Sequence, residues 1–303
     1  DTDRSRGLGD VYKRQGFHYY SLLIDGVAVA DPGSETFYGM GRMASGIEVP
    51  FKGGEYYALK DVPHGDIRMK RYYSEVSRSW RRFFVYTPAG YDTHTTEKYP
   101  VLYLLHGGGE DERGWATQGK TDLIMDNLIA EGKAKPMLII MLDGNMASAG
   151  FNAGALKAFE AELMQAVIPF VEKNYRVRKE PDSRALAGLS MGGIQTLYAG
   201  LYHTDMFTHL GVFSSGWLPF YQKIADDQYE FISKNKAAID SQLRLLWIAM
   251  GGKEDIAYQN CQNMLKEFDT LKLKYTYSEY PGGHTWPVWR NNLYHFAQLL
   301  FNK

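Results

Sequence analysis

The chain has 303 residues, of which 45% are hydrophobic and 23% are charged, and its formal net charge is -1. This composition is ordinary for a globular protein and argues against a surface built to bind nucleic acid or an anionic membrane. The single Cys261 excludes an internal disulfide and a cysteine-rich metal site. No stretch reaches the roughly 20 apolar residues that a membrane span needs.

The N-terminal part of the sequence contains two stretches of different composition. Residues 1–15 are polar and aperiodic, which predicts a tail that is disordered or foreign to the natural protein. Phe17–Ile24 and Val27–Ala30 are rich in aromatic and branched residues and flank an Asp25-Gly26 turn signal, so we expect a β-hairpin there. The sequence that follows, up to about residue 55, is Gly-rich and is expected to be irregular.

Strand and helix patterns alternate through the rest of the chain. After two strands at Ile67–Tyr73 and Trp80–Tyr86, strand patterns recur at 101–105, 137–142, 184–187, 209–213, 243–250 and 274–280. Helical patterns lie between them, and residues 216–240 form an insertion. Such alternation predicts a mostly parallel central sheet with helices on both faces. A Ser motif after a middle strand, with three more strands beyond it, indicates the α/β-hydrolase fold.

The motif Gly188-Leu189-Ser190-Met191-Gly192 follows the apolar run Ala185-Leu186-Ala187 and precedes a helical pattern. Gly-x-Ser-x-Gly between a strand and a helix is typical of a nucleophile elbow, in which the serine occupies a sharp and strained turn. The glycines avoid collisions between the turn and its flanking strand and helix. We therefore expect Ser190 to be the catalytic nucleophile, although a five-residue pattern can also arise by chance.

A nucleophilic serine needs a base and an acid, which this fold supplies from loops after later strands. His284 lies in Pro281-Gly282-Gly283-His284 between the last strand and the final helix, and we expect it to be the general base. Asp255 ends Gly251-Gly252-Lys253-Glu254-Asp255 after the preceding strand, and we expect it to orient the imidazole. Glu254 is interpreted as solvated, and Asp255 could also cap the helix that follows it.

The Gly-rich loop Leu105-His106-Gly107-Gly108-Gly109 follows the strand at 101–105. Loops of the His-Gly-Gly type place a backbone amide against the reacting carbonyl, so the expected oxyanion donors are the amides of Met191 and of Gly108 or Gly107. The loop lacks the Lys-Ser/Thr ending of a phosphate-binding loop, and no His/Glu cluster has zinc spacing. We therefore expect no cofactor and no metal.

With these motifs the chain resembles the family-one carbohydrate esterases, the feruloyl and acetylxylan esterase group, to which esterase D and enterochelin esterase are related. The resemblance runs from about Phe83 to the C-terminus, and Thr285 departs from it, because the group often has an acidic residue there. It is carried by Tyr103-Leu104-Leu105-His106-Gly107, Gly114-Trp115, Thr117-Gln118-Gly119-Lys120, Ala187–Gly193, Phe213-Ser214-Ser215-Gly216, Gly282-Gly283-His284-Thr285-Trp286 and Val288-Trp289. It implies Ser190 as nucleophile, Asp255 as acid and His284 as base.

Residues 16–55, which include Asp31-Pro32-Gly33-Ser34, resemble the end of the immunoglobulin-like carbohydrate-binding module found beside glycogen-debranching enzymes. The expected organisation is thus a tail over 1–15, a partial immunoglobulin-like module over 16–55 and an α/β-hydrolase esterase domain over 56–303. An unpaired strand edge in the partial module could pair with a second copy of the chain, which makes a homodimer possible.

The resemblance implies hydrolysis of feruloyl or acetyl esters on plant xylan, by a secreted or periplasmic enzyme. An esterase D-like thioester hydrolase or a siderophore-ester hydrolase would share every motif, and a catalytically silent glycan-binding hydrolase fold is a third alternative. An aromatic acyl group needs an apolar wall beside the elbow. The candidates for that wall, each of which could equally be core, are Trp115, Trp217, Phe220 and Trp286.

Overall fold

The computed structural model describes residues 15–146 and 152–302. The tail expected over residues 1–15 lies outside the described residues, apart from Gln15. In these two ranges, no helix combines the length and the apolar character that crossing a lipid bilayer requires.

The N-terminal part of the described chain consists of short strands. They are β1 (Gly16–Tyr20), β2 (Leu22–Ile24), β3 (Val27–Val29), β4 (Thr36–Gly39) and β5 (Arg42–Val49). Strands β2 and β3 form the expected hairpin, and its turn residues Asp25 and Gly26 have φ values of 50° and 82°. Its first arm is shorter than the expected Phe17–Ile24, because Gly16–Tyr20 is a separate strand that pairs with β5. Strands β1, β5 and β4 form a separate antiparallel sheet in that order.

The expectation that the residues before 55 are irregular is wrong for 36–49, because glycines serve the sheet there. The β4–β5 turn contains Met40 and Gly41, whose φ values are 55° and 75°. A Cβ atom at Gly46 would lie 2.5 Å from the ring of Phe17 and 2.6 Å from the ring of Phe37. These two rings pack edge to face with centroids 5.0 Å apart. Glycine within a strand therefore marks close packing here.

The central sheet has the strand order β13-β12-β11-β10-β8-β9-β7-β6. Its strands are β6 (Asp66–Ser74), β7 (Ser79–Thr87), β8 (Val101–Leu105), β9 (Leu138–Leu142), β10 (Arg184–Leu189), β11 (His209–Phe213), β12 (Leu245–Met250) and β13 (Thr276–Glu279). Strands β8 to β13 pair in parallel, whereas β6 and β7 are antiparallel at one edge. The mostly parallel sheet of an α/β-hydrolase is confirmed.

Helices cover both faces of the central sheet, as expected. They are α1 (Thr121–Ala130), α2 (Ala153–Glu162), α3 (Ile168–Asn174), α4 (Met191–Tyr202), α5 (Gln222–Gln242), α6 (Tyr258–Thr270) and α7 (Trp286–Leu299), with a π-helical turn (Leu163–Val167) between α2 and α3. Helices α1 and α7 pack on one face, and α2 to α6 pack on the other. Leu102 and Leu104 of β8 point to the first face and Tyr103 and Leu105 to the second, so the strand is apolar throughout.

The insertion expected at Gly216–Asp240 is mostly the long helix α5, which has non-helical dihedral angles at Asn235. Its buried residues Ala225, Gln228, Ile232 and Ile239 recur at helical spacing and face the core. The insertion is therefore a covering helix of the domain.

The β1–β5–β4 sheet packs directly on the esterase part of the chain. Glu48 accepts a 2.9 Å hydrogen bond from the buried Arg290 of α7, and the Tyr38 carbonyl accepts one of 2.9 Å from Gln118. The Gly41 amide donates to the Gly109 carbonyl over 2.7 Å. The strands before residue 50 thus reach the Gly-rich loop. An origin of this segment in a carbohydrate-binding module stays a prediction, as do the domain boundaries.

Candidate active site

Ser190 is the single residue between strand β10 and helix α4, and its backbone is strained. Its φ and ψ are 51° and -113°, a conformation that costs a non-glycine residue about 1–3 kcal/mol. A Cβ atom at Gly188 would lie 2.4 Å from the carbonyl carbon of Gly192, so only glycine fits at that position. The Ser190 amide donates to the Phe213 carbonyl over 2.9 Å. The turn therefore has the geometry of a nucleophile elbow.

His284 and Asp255 form a hydrogen-bonded pair on the loops after β13 and β12. The distance from His284 Nδ1 to Asp255 Oδ1 is 2.9 Å, and the side chain of Asp255 is fully buried. The same carboxylate oxygen accepts a 2.9 Å hydrogen bond from the Ala257 amide just before α6. Asp255 thus orients the imidazole and also ties down the start of the helix. Glu254 is exposed, as expected.

The environment of Asp255 keeps its carboxylate ionised. Burial acts to raise the pKa of this group, but the hydrogen bonds from His284 and from the Ala257 amide outweigh it. The pKa of Asp255 consequently lies below its usual value. A charged acceptor at Nδ1 fixes the tautomer of His284 that leaves Nε2 able to take a proton.

The Gly-rich loop after β8 runs beside the elbow. A Cβ atom on Gly107 would lie 3.4 Å from the Cβ atom of Ser190, which shows how closely the loop approaches the nucleophile. Gly108 lines the same cavities as Ser190, and Met191 occupies the first position of α4. Within residues 15–146 and 152–302, the Gly108 and Met191 amides have no protein acceptor. Both can therefore donate to a bound oxygen atom.

His106 holds this loop in place and is buried away from the reacting atoms. Its Nε2 accepts a 3.0 Å hydrogen bond from the Gly144 amide, so Nδ1 carries the proton and donates to the Gly107 carbonyl over 2.8 Å. The His106 carbonyl accepts from the Gly192 amide over 3.1 Å. These bonds give His106 a structural role in holding the loop.

Among the cavities that the described residues line, two open beside Ser190, and His284, Gly108 and Ile256 line both of them. The larger has a volume of about 460 Å³, and its walls include Trp286. The smaller has a volume of about 200 Å³ and extends under Leu218. A bound ester can therefore place its acyl group on one side of Ser190 and its alcohol group on the other.

Of the four aromatic residues expected to form walls, the structure places only Trp286 in a cavity beside Ser190, as far as the described residues define these cavities. Trp115 lies in the core beneath the loop, because its Nε1 donates to the Leu105 carbonyl over 2.8 Å. Trp217 is buried against Tyr221. Phe220 is 61% exposed and lines neither cavity.

Sequence reasoning missed one whole side of the larger cavity. Phe17, His18, Tyr19 and Met40, which we call the N-terminal wall, come from β1 and the β4–β5 turn. The interpretation of residues 16–55 as a separate module directed attention away from them. The aromatic run Phe17–Tyr20 was the signal that could have indicated their role.

The N-terminal wall is joined to the Gly-rich loop through a buried hydrogen-bond network. Glu110 Oε1 accepts from Trp286 Nε1 over 2.9 Å and from the Tyr19 hydroxyl over 3.1 Å. Gln118 donates to the Tyr19 oxygen over 2.6 Å. Burial raises the pKa of the Glu110 carboxyl to about 7, although the hydrogen bonds from Tyr19 and Trp286 act to lower it. The larger cavity is thus lined by a carboxyl group whose pKa is close to neutral pH.

The fold, the strained Ser190 elbow and the His284–Asp255 pair define this protein as an α/β-hydrolase of the serine-hydrolase type. More narrowly, the chain belongs to the Putative esterase family, which matches residues 74–298. The Endo-1,4-beta-xylanase/feruloyl esterase of Xylanibacter ruminicola is 37% identical over 300 residues. That match covers 94% of this chain but only 38% of the relative, so the chain spans well under half of the relative's length.

Solved structures of ferulic acid esterases share the fold. The enzyme from Anaeromyces mucronatus in complex with ferulic acid has 25% identity and a TM-score of 0.71, over 83% of this chain and 96% of the other. A serine-to-alanine mutant of the feruloyl esterase module from Clostridium thermocellum, complexed with sinapinate, has 23% identity and a TM-score of 0.70. The latter match covers 94% of this chain and 96% of that module.

Proposed function

We propose that this protein is a serine esterase that removes feruloyl or acetyl groups from plant xylan through an acyl-enzyme. The observation that carries the reaction type is His284, which is hydrogen-bonded to the buried Asp255 and lines both cavities that flank the strained Ser190. The substrate class is supported by 37% identity to a xylanase/feruloyl esterase over 94% of this chain. No residue in this mechanism needs a cofactor.

In the first half of the reaction, Ser190 Oγ attacks the ester carbonyl while His284 Nε2 takes its proton. The carbonyl oxygen becomes an oxyanion, which accepts hydrogen bonds from the Met191 and Gly108 amides. Asp255 stabilises the imidazolium without taking the proton itself. The tetrahedral intermediate then collapses as its bond to the sugar oxygen breaks, and His284 Nε2 gives its proton to that oxygen, so that the sugar leaves as an alcohol.

In the second half, a water molecule replaces the sugar and attacks the acyl-enzyme carbonyl. His284 takes a proton from this water, and the same two amides bind the second oxyanion. Collapse of the intermediate releases the carboxylic acid and returns the proton to Ser190. The chain supplies a base, an orienting carboxylate and oxyanion donors, which are the parts that both halves require.

The two cavities suit the two parts of an acylated polysaccharide. An acyl group is a chain end, so we infer that the smaller cavity of about 200 Å³ accommodates it, with Ile194 and Leu218 as apolar walls. A polysaccharide continues beyond the esterified sugar and needs the larger cavity of about 460 Å³, with Trp286 as one wall. We therefore assign the acyl group to the smaller cavity and the sugar to the larger one.

The direct test is the release of ferulate and acetate from de-starched bran arabinoxylan by the wild-type protein and by Ser190→Ala. We expect the wild-type protein to release ferulate, acetate or both, and the variant to be slower by about 10⁵-fold or more. A burst of nitrophenol from an activated acetate should likewise vanish in the variant. No burst from the wild-type protein would overturn the enzyme assignment in favour of a silent glycan-binding fold.

The substrate assignment has its own test. Activity on formyl-glutathione or on a siderophore ester, without activity on feruloylated arabinose, would show that the triad serves a different ester. Activity on feruloylated arabinose alone would support the proposal. The expected partner is thus an acylated plant polysaccharide, which implies a secreted or periplasmic protein. A homodimer stays a prediction, and a monomer by light scattering at high concentration would count against it.

A further inference from the structure

A third cavity lies outside the active site, and neither the triad nor the proposed reaction uses it. This outer groove has a volume of about 470 Å³ and is lined by residues of β6, β7, the β4 strand and the loops after β8 and β9. Its most conspicuous side chain is Trp80, which is 72% exposed. An exposed indole ring beside a cavity offers a flat apolar face against which a ligand can pack.

The pairing of the strands places Trp80 above the catalytic edge of the sheet. Phe83 of β7 is opposite Leu142, the last residue of β9, so Trp80 lies three residues beyond the end of that strand. At about 3.3 Å per residue, Trp80 lies about 10 Å beyond the carboxyl end of β9. Ser190, Asp255 and His284 also follow the carboxyl ends of parallel strands. The β6–β7 hairpin therefore rises along the edge that holds the triad.

The outer groove is next to the larger catalytic cavity. Glu110 lines the catalytic cavity, and the next residue, Asp111, lines the groove. On the opposite side, Met40 lines the cavity and Tyr38 lines the groove. Asn145 lines the groove and donates a 2.9 Å hydrogen bond to the Glu110 carbonyl. The two depressions thus adjoin at the loop after β8 and at the end of β4, so that an extended ligand can reach from one to the other.

The chemistry of the outer groove suits a neutral, hydroxyl-rich ligand. The Trp80 ring is in edge-to-face contact with Tyr73, 47% exposed, at 5.8 Å between centroids, so its orientation is fixed by a neighbour. The remaining lining is polar, and its formal charges balance, with three arginines against three carboxylates: Arg71, Arg81, Arg82, Asp111, Glu112 and Asp143. Balanced charge disfavours an ionic ligand, whereas paired donors and acceptors around an aromatic ring suit sugar hydroxyls and the C–H face of a sugar ring.

We propose that the outer groove is a glycan subsite, in which Trp80 stacks against a sugar of the polysaccharide chain that flanks the acylated residue. This inference rests on the proposed function, since it assigns a place to the polymer that carries the ester. The groove selects polymeric over small esters, and the triad acts on both. Trp80 touches the chain of the substrate and not the reacting atoms, so it is a specificity-determining residue.

The binding test uses protein carrying Ser190→Ala, which cannot turn over, and arabinoxylan oligosaccharides stripped of their esters. Titration calorimetry should show that adding Trp80→Ala weakens binding about tenfold, whereas Trp80→Phe keeps most of the affinity because a ring remains. Leu59→Ala removes an equally exposed apolar side chain (76% exposed) and serves as the control with unchanged affinity. Equal affinities for all of these proteins would overturn the glycan subsite.

The kinetic test compares two substrates of the active enzyme. The ratio of kcat/KM on feruloylated arabinoxylan to kcat/KM on methyl ferulate should fall about tenfold in Trp80→Ala and much less in Trp80→Phe. A parallel fall on both substrates, or a change confined to oligomeric state, would contradict the proposal. Failure of the proposed function looks different, because the wild-type protein itself would then release no ferulate from either substrate.

Discussion

The triad and the N-terminal wall of the larger cavity are held by different means. Ser190, Asp255 and His284 each follow the end of a central strand, so parallel strand pairing brings them together. Tyr19 comes from a separate small sheet and reaches the site through Glu110 and Trp286, which are 91 and 267 residues away along the chain. The geometry of the catalytic triad therefore depends on the pairing of the central strands. The shape of the larger cavity depends instead on a few buried side-chain hydrogen bonds, so the loss of one bond matters more there.

The sharpest test of this comparison is Asp255→Asn, which changes the triad without changing its shape. The neutral amide of asparagine does not supply the charged acceptor that holds the proton of His284 on Nδ1. His284 then no longer adopts the tautomer that leaves Nε2 free to take a proton, so kcat should fall by about 10³- to 10⁴-fold. Steady-state kinetics on methyl ferulate measures this loss. Glu254→Gln, at the exposed neighbouring carboxylate, is the control and should retain full activity; a similar loss there would move the acid role to Glu254.

The buried hydrogen-bond network around Glu110 should make the stability of the protein depend on pH. The pKa of Glu110 is raised from 4.5 to about 7, so the folded protein binds one proton more than the unfolded chain between these pH values. The free energy of unfolding should therefore decrease by up to about 3 kcal/mol as pH rises from 4.5 to 7.

Urea denaturation of the wild-type protein and of Glu110→Gln at pH 4.5 and pH 8 isolates this contribution. The amide does not titrate, and the other titrating groups are common to both proteins. The difference in free energy of unfolding between them should therefore change with pH by about 3 kcal/mol. A difference that is constant across the range would show that Glu110 titrates near its ordinary pKa.

Removing one hydroxyl from the N-terminal wall should have a smaller effect. Tyr19→Phe removes the hydrogen bonds that the hydroxyl makes with Glu110 Oε1 and Gln118, while Trp286 and the Tyr38 carbonyl remain as their other partners. Two lost hydrogen bonds in a buried site should cost about 1–3 kcal/mol of stability. The next residue provides the matched control. Among the described residues, the Tyr20 hydroxyl donates only to the Asp31 carboxylate, so Tyr20→Phe should destabilise the protein less than Tyr19→Phe. Thermal unfolding of both variants checks the order, and equal shifts would argue that the network is no stronger than a surface bond.

The smallest expected effect concerns the choice of acyl group. Leu218→Trp fills part of the smaller cavity, which leaves room for acetyl but less for feruloyl. The ratio of ferulate to acetate release from arabinoxylan should fall about tenfold, equivalent to about 1.4 kcal/mol of discrimination. Phe220→Trp, at a neighbouring exposed position, should leave the ratio unchanged. A rise in the ratio would place the feruloyl group in the larger cavity instead.

The sequence was informative where function depends on local pattern. Ser190 and its glycines lie in one short motif, and the loops of Asp255 and His284 follow strands whose order the alternation of elements predicts. The aromatic run Phe17–Tyr20 marks Tyr19 as a possible wall residue, but the sequence could not reveal its hydrogen bond to Glu110, which is 91 residues away along the chain. Trp115 was expected in the wall, but an indole N–H that finds a carbonyl inside the core is equally compatible with the sequence. From sequence alone Gly46 argues against a strand, whereas the structure shows that it lies in β5 and makes room for the rings of Phe17 and Phe37.

The link between the Gly41 amide and the Gly109 carbonyl has a consequence for how this protein tolerates change. It joins backbone atoms of two segments of the same chain, so a substitution of a neighbouring side chain does not remove either partner. Residues that face the substrate at the β4–β5 turn can then diverge while the loop that holds the oxyanion donors keeps its position. Substitutions at this turn can therefore change which ester the enzyme prefers without abolishing its ability to hydrolyse esters.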